Sequence, residues 1–275
     1  MQTWHDVLAL ADQLPARLRA GVLEEVQRCL AALAAGNIDY FVHAFARSDT
    51  WRIVAHFIDE ATFFDIETTG LEIDAPITVI MCWHRGRLHA FVEHENLDGF
   101  LELLDDVRLL ISFNGASFDV PRVLDAFHIP QLPCPHLDLR WSLYHRGCRG
   151  SLKDIAARAG IRRPEDLRSV DGAWAIQLWE QWVSGQDPTA RQQLLRYCAA
   201  DVLMLVMLAQ RMASRASTHD ALLWAHLPPV DVRPVDVPTR EVAAAGPLPS
   251  HAFGAASPGR LRALVAQQFY RQAVG

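Results

Sequence analysis

The spacing of apolar residues changes character near residue 60. Before that point, leucine, valine and alanine recur at helical spacing over about residues 15–35, and Gly36 follows as a plausible C-cap. A second short helix is predicted around residues 51–57. We therefore predict that residues 1–59 form a helical lead-in whose apolar faces pack on the domain that follows.

Beyond this point, short β-rich runs alternate first with turns and then with helices. The predicted strands cover residues 61–67, 77–83, 87–92, 109–113 and 136–139. The predicted helices cover about residues 97–104, 118–127, 152–159, 173–183 and 189–212. A meander of three strands followed by alternating helices and strands predicts a mixed α/β sheet in a domain of residues 60–215.

Proline, alanine and valine dominate after that domain. This composition predicts an extended or flexible tail over residues 216–275, with a possible last helix at 260–272. The tail or the N-terminal helices could bind a protein partner.

Composition and charge limit the class of protein. No uninterrupted apolar run approaches the roughly 20 residues that cross a bilayer. The N-terminus also does not resemble a secretory signal, because His5 and Asp6 come before any apolar stretch and no basic region precedes them. We expect a cytoplasmic protein with no membrane partner. The five scattered cysteines indicate reduced thiols, not a disulfide framework.

Cysteine and histidine also occur in a spacing that could bind zinc. A two-Cys, two-His set would consist of Cys134, His136, His145 and Cys148. The short Cys-x-His spacing is unlike the usual zinc knuckle. The alternative is two ordinary cysteines beside a strand and a polar loop.

The net charge of −6 argues against a passive nucleic-acid coat protein. It does not exclude a nuclease, because an acidic site that binds divalent metal becomes locally positive. Basic residues concentrate between positions 140 and 168, with few acids among them. This stretch fits a phosphate-binding surface and a solvated helix-and-loop surface equally well.

Two carboxylates follow each other along the first predicted strand. Asp65 and Glu67 are two positions apart, so their side chains point to the same face. Adjacent carboxylates in an otherwise apolar strand repel each other and are costly to desolvate, and a divalent cation is the usual compensation. Taken alone, the D-x-E pair is also compatible with two solvent-exposed acids that have no function.

Two later elements carry further candidates. Asp119 follows an apolar strand and the Asn114-Gly115 turn, where a helix is predicted to begin, so helix capping is an alternative role for it. Tyr197 and Asp201 are four residues apart in an apolar helix, and their polar groups therefore point into the same space. The alternative for Asp201 is an exposed acid on a surface helix.

Together these elements follow the order D-x-E, D and Y-x-x-x-D. The segments FDIETTGL, NGASFD and YCAAD resemble the three motifs of the DEDD exonuclease superfamily, in its tyrosine-bearing (DEDDy) branch. Within that superfamily the sequence is similar to the YprB-like ribonuclease-H-like proteins of bacteria, over about residues 38–212. The resemblance implies a ribonuclease-H-like fold, in which an antiparallel three-stranded meander and parallel strands form one sheet flanked by helices.

The resemblance also implies a 3′→5′ exonuclease that acts on nucleic acid with two Mg²⁺ or Mn²⁺ ions. Hard oxygen ligands suit both metals, and the ligands would be Asp65, Glu67, Asp119 and Asp201. Two ions can stabilise the attacking and the leaving oxygen of an in-line displacement. Tyr197 would orient the attacking water, since a tyrosine with a pKa near 10 is a poor base at neutral pH.

Substrate contacts follow by position within the motifs. Asn114 and Phe118 would line the groove for the terminal nucleotides, and Thr68 and Leu71 would meet the 3′ end. Core packing is the alternative role for Phe118 and Leu71.

Other functions remain compatible with the sequence. A structure-specific endonuclease could use the same metal site, and a non-catalytic nucleic-acid-binding module could keep the fold without its chemistry. The sequence does not distinguish DNA from RNA, because readout of the 2′-OH depends on geometry. No GxxxxGK[ST] loop occurs, so we expect no nucleotide cofactor.

Overall fold

The computed structural model describes residues 4–72, 74–168, 170–214, 220–230, 246–249 and 251–253. The strands of its sheet are β1 (Ala61–Thr68), β2 (Ile77–His84), β3 (Arg87–Val92), β4 (Leu109–Ser112) and β5 (His136–Asp138). The helices before the sheet are α1 (Trp4–Ala9), α2 (Ala16–Ala34), α3 (Ile38–Ala44) and α4 (Trp51–Phe57). Those within and after it are α5 (Gly99–Leu104), α6 (Asp119–Ala126), α7 (Leu139–His145), α8 (Leu152–Arg158), α9 (Gly172–Gly185), α10 (Pro188–Met212) and α11 (Asp220–Trp224).

The five strands form one mixed sheet in the order β3-β2-β1-β4-β5. β1, β2 and β3 pair antiparallel, whereas β4 pairs parallel to both β1 and β5. β1 is therefore central, and the carboxyl ends of β1, β4 and β5 meet at one edge. The predicted mixed sheet, with its antiparallel meander and parallel strands, is confirmed.

Successive side chains of β1 point to opposite faces of the sheet, and each face packs in its own hydrophobic cluster. Phe63 packs in the larger cluster with α10, while Phe64 and Ile66 pack in the cluster beneath α5 and α6. Because the side-chain period of a strand is two, Asp65 and Glu67 lie on the Phe63 face, toward α10. Packing of the strand thus directs both carboxylates to the same side.

α10 is the central helix of the larger cluster. Its residues from Tyr197 to Ala209 are all buried, and it packs against β1, β2, α8 and α9. By length and composition α10 could cross a membrane, but most of its apolar stretch is buried inside this fold. A helix that is apolar on all sides is expected at the centre of a core.

The helical lead-in packs partly on itself and partly on the domain. Val7, Val22 and Val26 form a separate small cluster between α1 and α2. Phe41 of α3 and Ile53 of α4 belong instead to the large cluster that includes α10. The sequence pattern did not predict α3, which begins where the Asn37 side chain accepts a hydrogen bond from the Tyr40 N–H.

The described parts of the C-terminal tail pack on the domain. Leu223 of α11, Leu227 and Ala252 are buried in the same cluster as α10. Arg146, in the loop after α7, donates from Nε to the Ala252 carbonyl oxygen at 2.6 Å. In these parts the tail is held by the core, although its composition predicts an extended chain. The possible helix at 260–272 lies outside the described residues.

Candidate active site

Three carboxylates converge where β1 passes α10. One oxygen each from Asp65, Glu67 and Asp201 lies within 4.8 Å of the other two. Asp65 and Glu67 are partly exposed, whereas Asp201 is buried. The sheet and the helix thus bring together three of the acids that the sequence singles out, in a group that remains open to solvent.

Asp119 approaches the same site from the first turn of α6. Its Oδ1 accepts a hydrogen bond from the Ile66 N–H at 3.2 Å, between the two acids of β1. Phe118 is the N-cap residue of α6, and no side chain caps the helix. Asp119 is therefore tied to the central strand and does not cap its own helix. It lies outside the 4.8 Å group of the other three acids.

The turn before Asp119 requires glycine at position 115. A Cβ atom there would lie 2.1 Å from the Ser112 Oγ and 3.2 Å from the Asp119 Oδ2. Asn114 adopts a left-handed conformation with φ 67°, as tight turns often require. Close approach of the turn to β4 thus sets where α6 begins.

Burial and like charge weaken the acidity of the clustered carboxyls. Burial raises the pKa of Glu67 to about 8, and the nearby Asp201 carboxylate adds to this effect. Burial also raises the pKa of Asp119 to about 7, although its hydrogen bond from Ile66 opposes the shift. The pKa of Asp65 rises well above its ordinary range, through burial first and the charges of Asp119 and Glu67 next.

Tyr197 lies beneath this cluster in contact with Lys153 of α8. The Lys153 Nζ donates to the Tyr197 hydroxyl at 2.7 Å and lies 3.6 Å from the Asp201 Oδ2. Burial, reinforced by Asp201 and Glu67, raises the pKa of Tyr197 far above its ordinary value. These surroundings favour the neutral phenol, and because its oxygen accepts a hydrogen bond from Lys153, its own proton can be donated to a further acceptor.

A second cation, Arg163, contacts Asp201 from the other side. Its Nη2 lies 3.1 Å from the Asp201 Oδ1, and its Nη1 donates to the Val170 carbonyl oxygen at 3.2 Å. Both side chains of the pair are less than a tenth exposed. The sequence could not assign this role, since Arg163 belongs to the basic stretch whose other members include exposed arginines.

Asp138 organises the loop that carries Asn114. Its Oδ1 accepts from the N–H of Asn114 at 2.8 Å, and its Oδ2 accepts from the N–H of Ala116 at 3.2 Å. Asp138 also caps α7 through the N–H of Arg140. The Arg140 guanidinium in turn donates to the Asn114 side-chain oxygen. Asp138 therefore positions this loop.

The residues predicted to contact substrate lie around the acids in different environments. Leu71 is 80% exposed, so it does not pack in the core. Phe118 is half-buried against the smaller cluster, and the Arg122 guanidinium covers its ring at 3.7 Å. Arg122 also donates to the carbonyl oxygens of Leu71 and Glu72, at 2.9 and 2.8 Å. The sequence analysis missed this buried arginine, which links α6 to the loop after β1.

Thr68 ends β1 beside a bulge. Its hydroxyl donates to the Gly70 carbonyl oxygen at 2.6 Å, and the side chain is buried. The register of β1 against β2 shifts between Glu67 and Thr68. Thr68 thus shapes the loop that presents Leu71.

The possible zinc ligands do not form a site within the part of the chain that the structure describes. Cys134 is buried in the smaller cluster and Cys148 in the larger one, on opposite faces of the sheet. The His136 Nε2 lies 2.8 Å from the Ser112 Oγ, and burial lowers the pKa of His136 to about 4. Both cysteines are free thiols.

The donor set at the acidic cluster fits hard divalent cations. Every candidate ligand is a carboxylate, the ligand type that Mg²⁺ and Mn²⁺ prefer. If Asp65, Glu67, Asp119 and Asp201 are all ionised, Lys153 and Arg163 beside Asp201 and Arg122 beside Asp119 offset only part of the four charges. The remaining negative charge in a partly buried place explains the raised pKa values and favours a cation.

Comparison with known proteins agrees with this architecture. The model of the RNase_H superfamily matches residues 62–213, more than half of the 275-residue chain. The chain is 30% identical over 176 residues to the "Uncharacterized protein YprB" of Bacillus subtilis (strain 168). That alignment covers 56% of this chain and 42% of the relative, so the chain spans less than half of the relative's length.

Among solved structures, the chain is similar to a family B DNA polymerase from the hyperthermophilic archaeon Pyrobaculum calidifontis. The two share 18% sequence identity with a TM-score of 0.43. The match covers 56% of this chain and 25% of the polymerase. At this level the likeness carries no argument about function.

The chain belongs to the RNase H superfamily. In this chain an acidic cluster lies beside the central strand of that fold. Nucleases of this fold use divalent metal ions, and the cluster at Asp65, Glu67 and Asp201 is where this chain can hold them.

Proposed function

We propose that this protein is a 3′→5′ exonuclease that hydrolyses single-stranded DNA or RNA, of the DEDDy type. The observation that carries the proposal is the convergence of Asp65, Glu67 and Asp201 within 4.8 Å, with Tyr197 one helical turn before Asp201. A superfamily fold alone is compatible with several nuclease activities. The tyrosine at the acidic site favours this particular branch.

Two Mg²⁺ or Mn²⁺ ions would be held by Asp65, Glu67, Asp119 and Asp201. When bound, such ions activate the attacking water and stabilise the charge that develops on the leaving oxygen. Asp65 and Glu67 are open to solvent and can receive ions. Asp119 is fixed at the Ile66 N–H through one oxygen, which leaves the other oxygen available as a ligand.

Tyr197 acts as a hydrogen-bond donor. Because its hydroxyl accepts from the Lys153 Nζ, its own proton would be available to an attacking water or to a phosphate oxygen. Its raised pKa favours the neutral phenol, so its proposed role is to orient the water and not to deprotonate it. Lys153 holds the hydroxyl in this orientation.

The residues around the acids position the 3′ end. Leu71 projects into solvent from a loop that Arg122 holds by two carbonyl oxygens, where it can pack against the terminal base. Thr68 shapes that loop from within. Asn114 and Phe118 would line the opposite side, with Asn114 held by Asp138 and Arg140.

The proposal is tested by giving the enzyme the same single-stranded sequence in linear and in covalently closed circular form, with Mn²⁺. An exonuclease degrades the linear molecule and leaves the circle intact, because the circle has no 3′ end. Cleavage of both at similar rates would identify an endonuclease of the same fold. Binding of the linear molecule without cleavage would identify a non-catalytic nucleic-acid-binding module.

A further inference from the structure

Outside the acidic cluster, two aromatic side chains of α7 lie next to each other, and an arginine contacts each of them. The Arg47 guanidinium carbon lies 5.2 Å from the centre of the Trp141 ring, and the Arg149 guanidinium carbon lies 4.9 Å from the centre of the Tyr144 ring. The Trp141 and Tyr144 ring centres are 5.9 Å apart. Arg47, Trp141, Tyr144 and Arg149 thus form one continuous row, which we call the arginine–aromatic strip.

The strip is accessible to a ligand. Arg47 and Arg149 are exposed, Trp141 is half-buried, and Tyr144 is 41% exposed. A large aromatic ring on the surface next to a second ring offers a face on which a nucleobase can stack. Side chains of this size that serve packing alone are normally more deeply buried.

The charge of the strip is not compensated by acids. Within the described part of the chain, neither Arg47 nor Arg149 has a carboxylate oxygen within 4.0 Å. Elsewhere in the molecule arginines commonly contact acids, as Arg196 does with Asp166 and Arg211 with Asp220. The strip is therefore a local positive surface on a protein of net charge −6.

α7 connects the strip to the acidic site. Arg140 and Tyr144 are four residues apart on this helix and share one face. The Arg140 guanidinium reaches the Asn114 side chain, in the loop that leads to Asp119. The strip thus begins one helical turn from Arg140, whose side chain contacts Asn114, a residue proposed to hold the terminal nucleotides.

We propose that the arginine–aromatic strip binds the single-stranded part of the substrate that extends away from the 3′ end. Bases stack on Tyr144 and Trp141, and Arg47 and Arg149 contact the phosphates. Stacking on aromatic rings beside basic groups is how proteins bind single strands without reading their sequence. This inference rests on the proposed function, because it assumes that Asn114 marks the end of the substrate path.

Binding without catalysis tests the strip directly. The full-length protein is titrated, with chelator present, against fluorescent single-stranded oligonucleotides of about 4 and about 16 nucleotides, the range of known single-strand site sizes. The double variant Tyr144→Ala/Arg149→Ala is compared with wild type. Arg17→Ala/Arg87→Ala is the matched control, because it removes two exposed arginines from α2 and β3.

We expect the strip variant to bind the long oligonucleotide about tenfold more weakly than wild type, because it lacks one ring that stacks on a base and one cation that binds a phosphate. Its binding of the short oligonucleotide and all binding by the control should stay within about twofold of wild type. For the long oligonucleotide, the slope of log binding constant against log salt concentration should decrease in magnitude by about 0.7 for each phosphate that the variant no longer neutralises. Tyr144→Phe should bind like wild type, because it keeps the ring.

Two results would contradict the proposal that the strip binds the substrate. One is unchanged binding of the long oligonucleotide by the double variant, and the other is an equal loss in the control or with the short oligonucleotide. The strip and the proposed function fail separately. Wild type that binds through the strip but never cleaves contradicts the exonuclease alone, whereas active enzyme with an unaffected strip variant contradicts the strip alone.

Discussion

Arg163 and Asp201 form a buried ion pair, with the Nη2 of the arginine 3.1 Å from the Oδ1 of the aspartate. Such a pair contributes little net stability, because desolvation of both charges offsets their attraction. The pair does fix the position of Asp201, and the Lys153 Nζ near the other oxygen does the same. Because Arg163 contacts one oxygen of this carboxylate, it competes with any cation that would bind the same oxygen.

Arg163→Met should therefore change stability and metal binding in opposite directions. Removing one partner of a buried pair costs about 3–5 kcal/mol, and we expect a loss at the low end because Lys153 stays beside Asp201. The affinity for Mn²⁺ should rise severalfold, because no arginine now competes for the carboxylate. Chemical denaturation and calorimetry measure the two effects.

The neighbouring Arg162→Met is the matched control, because Arg162 is exposed. It should leave both the free energy of unfolding and the Mn²⁺ affinity unchanged. If Arg163→Met weakened Mn²⁺ binding while the protein stayed folded, the ion pair would be preorganising the metal site and not competing with it.

Tyr197→Phe should lower kcat with little change in KM. A hydrogen bond to a charged group contributes about 1.5–3 kcal/mol, which corresponds to a loss in rate of roughly 10- to 100-fold. Tyr40→Phe is the control, because it removes a hydroxyl that donates to Glu25 within the helical lead-in, outside the acidic cluster. A Tyr197→Phe enzyme with normal kcat would show that the hydroxyl does not take part in the reaction.

The raised carboxyl pKa values predict opposite effects of pH on the metal-free and the metal-bound protein. Burial raises the pKa of Glu67 from an ordinary 4.5 to about 8, so the folded state binds the proton more tightly than the unfolded state does. Stability of the metal-free protein should therefore fall as the pH rises from about 4.5 through about 8. Stabilisation by Mn²⁺ should grow over the same range, because the ion needs ionised ligands.

Thermal melts from about pH 6 to about pH 9, with and without Mn²⁺, measure both trends. Glu67→Gln removes one titrating group and should flatten the pH dependence of the metal-free protein. A metal-free protein that gains stability as the pH rises would contradict the pKa shifts.

Local sequence patterns predicted the sheet because its strands have clear boundaries. The β-rich runs of β1, β2 and β3 are separated by turns, and each was predicted to within a residue at its ends. α3 and α7 were missed, although α4 and α8 have the same length of seven residues and were predicted. α3 begins only four positions after the last residue of α2, so the pattern does not separate the two helices. α7 also follows β5 directly, with no linker to mark its start.

Side-chain pairing at the site could be predicted only in part. The spacing of Tyr197 and Asp201 placed both groups on one helix face, and the Lys153 contacts agree with that placement. The contacts of Lys153 and Arg163 with α10 depend on how distant segments pack. No local pattern distinguishes buried Arg163 from exposed Arg162, which precedes it in the same basic stretch. Long-range packing decides which of the two contacts Asp201.

Gly115→Ala should destabilise the turn that places Asp119. The added methyl would meet the Ser112 Oγ at 2.1 Å, and overpacking of this kind costs about 1–3 kcal/mol. Activity should fall as well, because α6 can no longer begin at its present position. Gly172→Ala, at the first residue of α9, has no atom within 4 Å of its new Cβ and should be neutral by both measures.

The central claim is that the acidic cluster catalyses the removal of nucleotides from the 3′ end. Asp65→Asn tests it most directly, because the neutral isostere relieves repulsion from Asp119 and Glu67 and should therefore preserve folding. Wild type and variant, purified in parallel, are incubated with 5′-labelled single-stranded DNA and RNA in Mg²⁺ or Mn²⁺. The account predicts a ladder that shortens from the 3′ end with wild type, and its loss in the folded variant and with chelator. Equal cleavage by both proteins would contradict it.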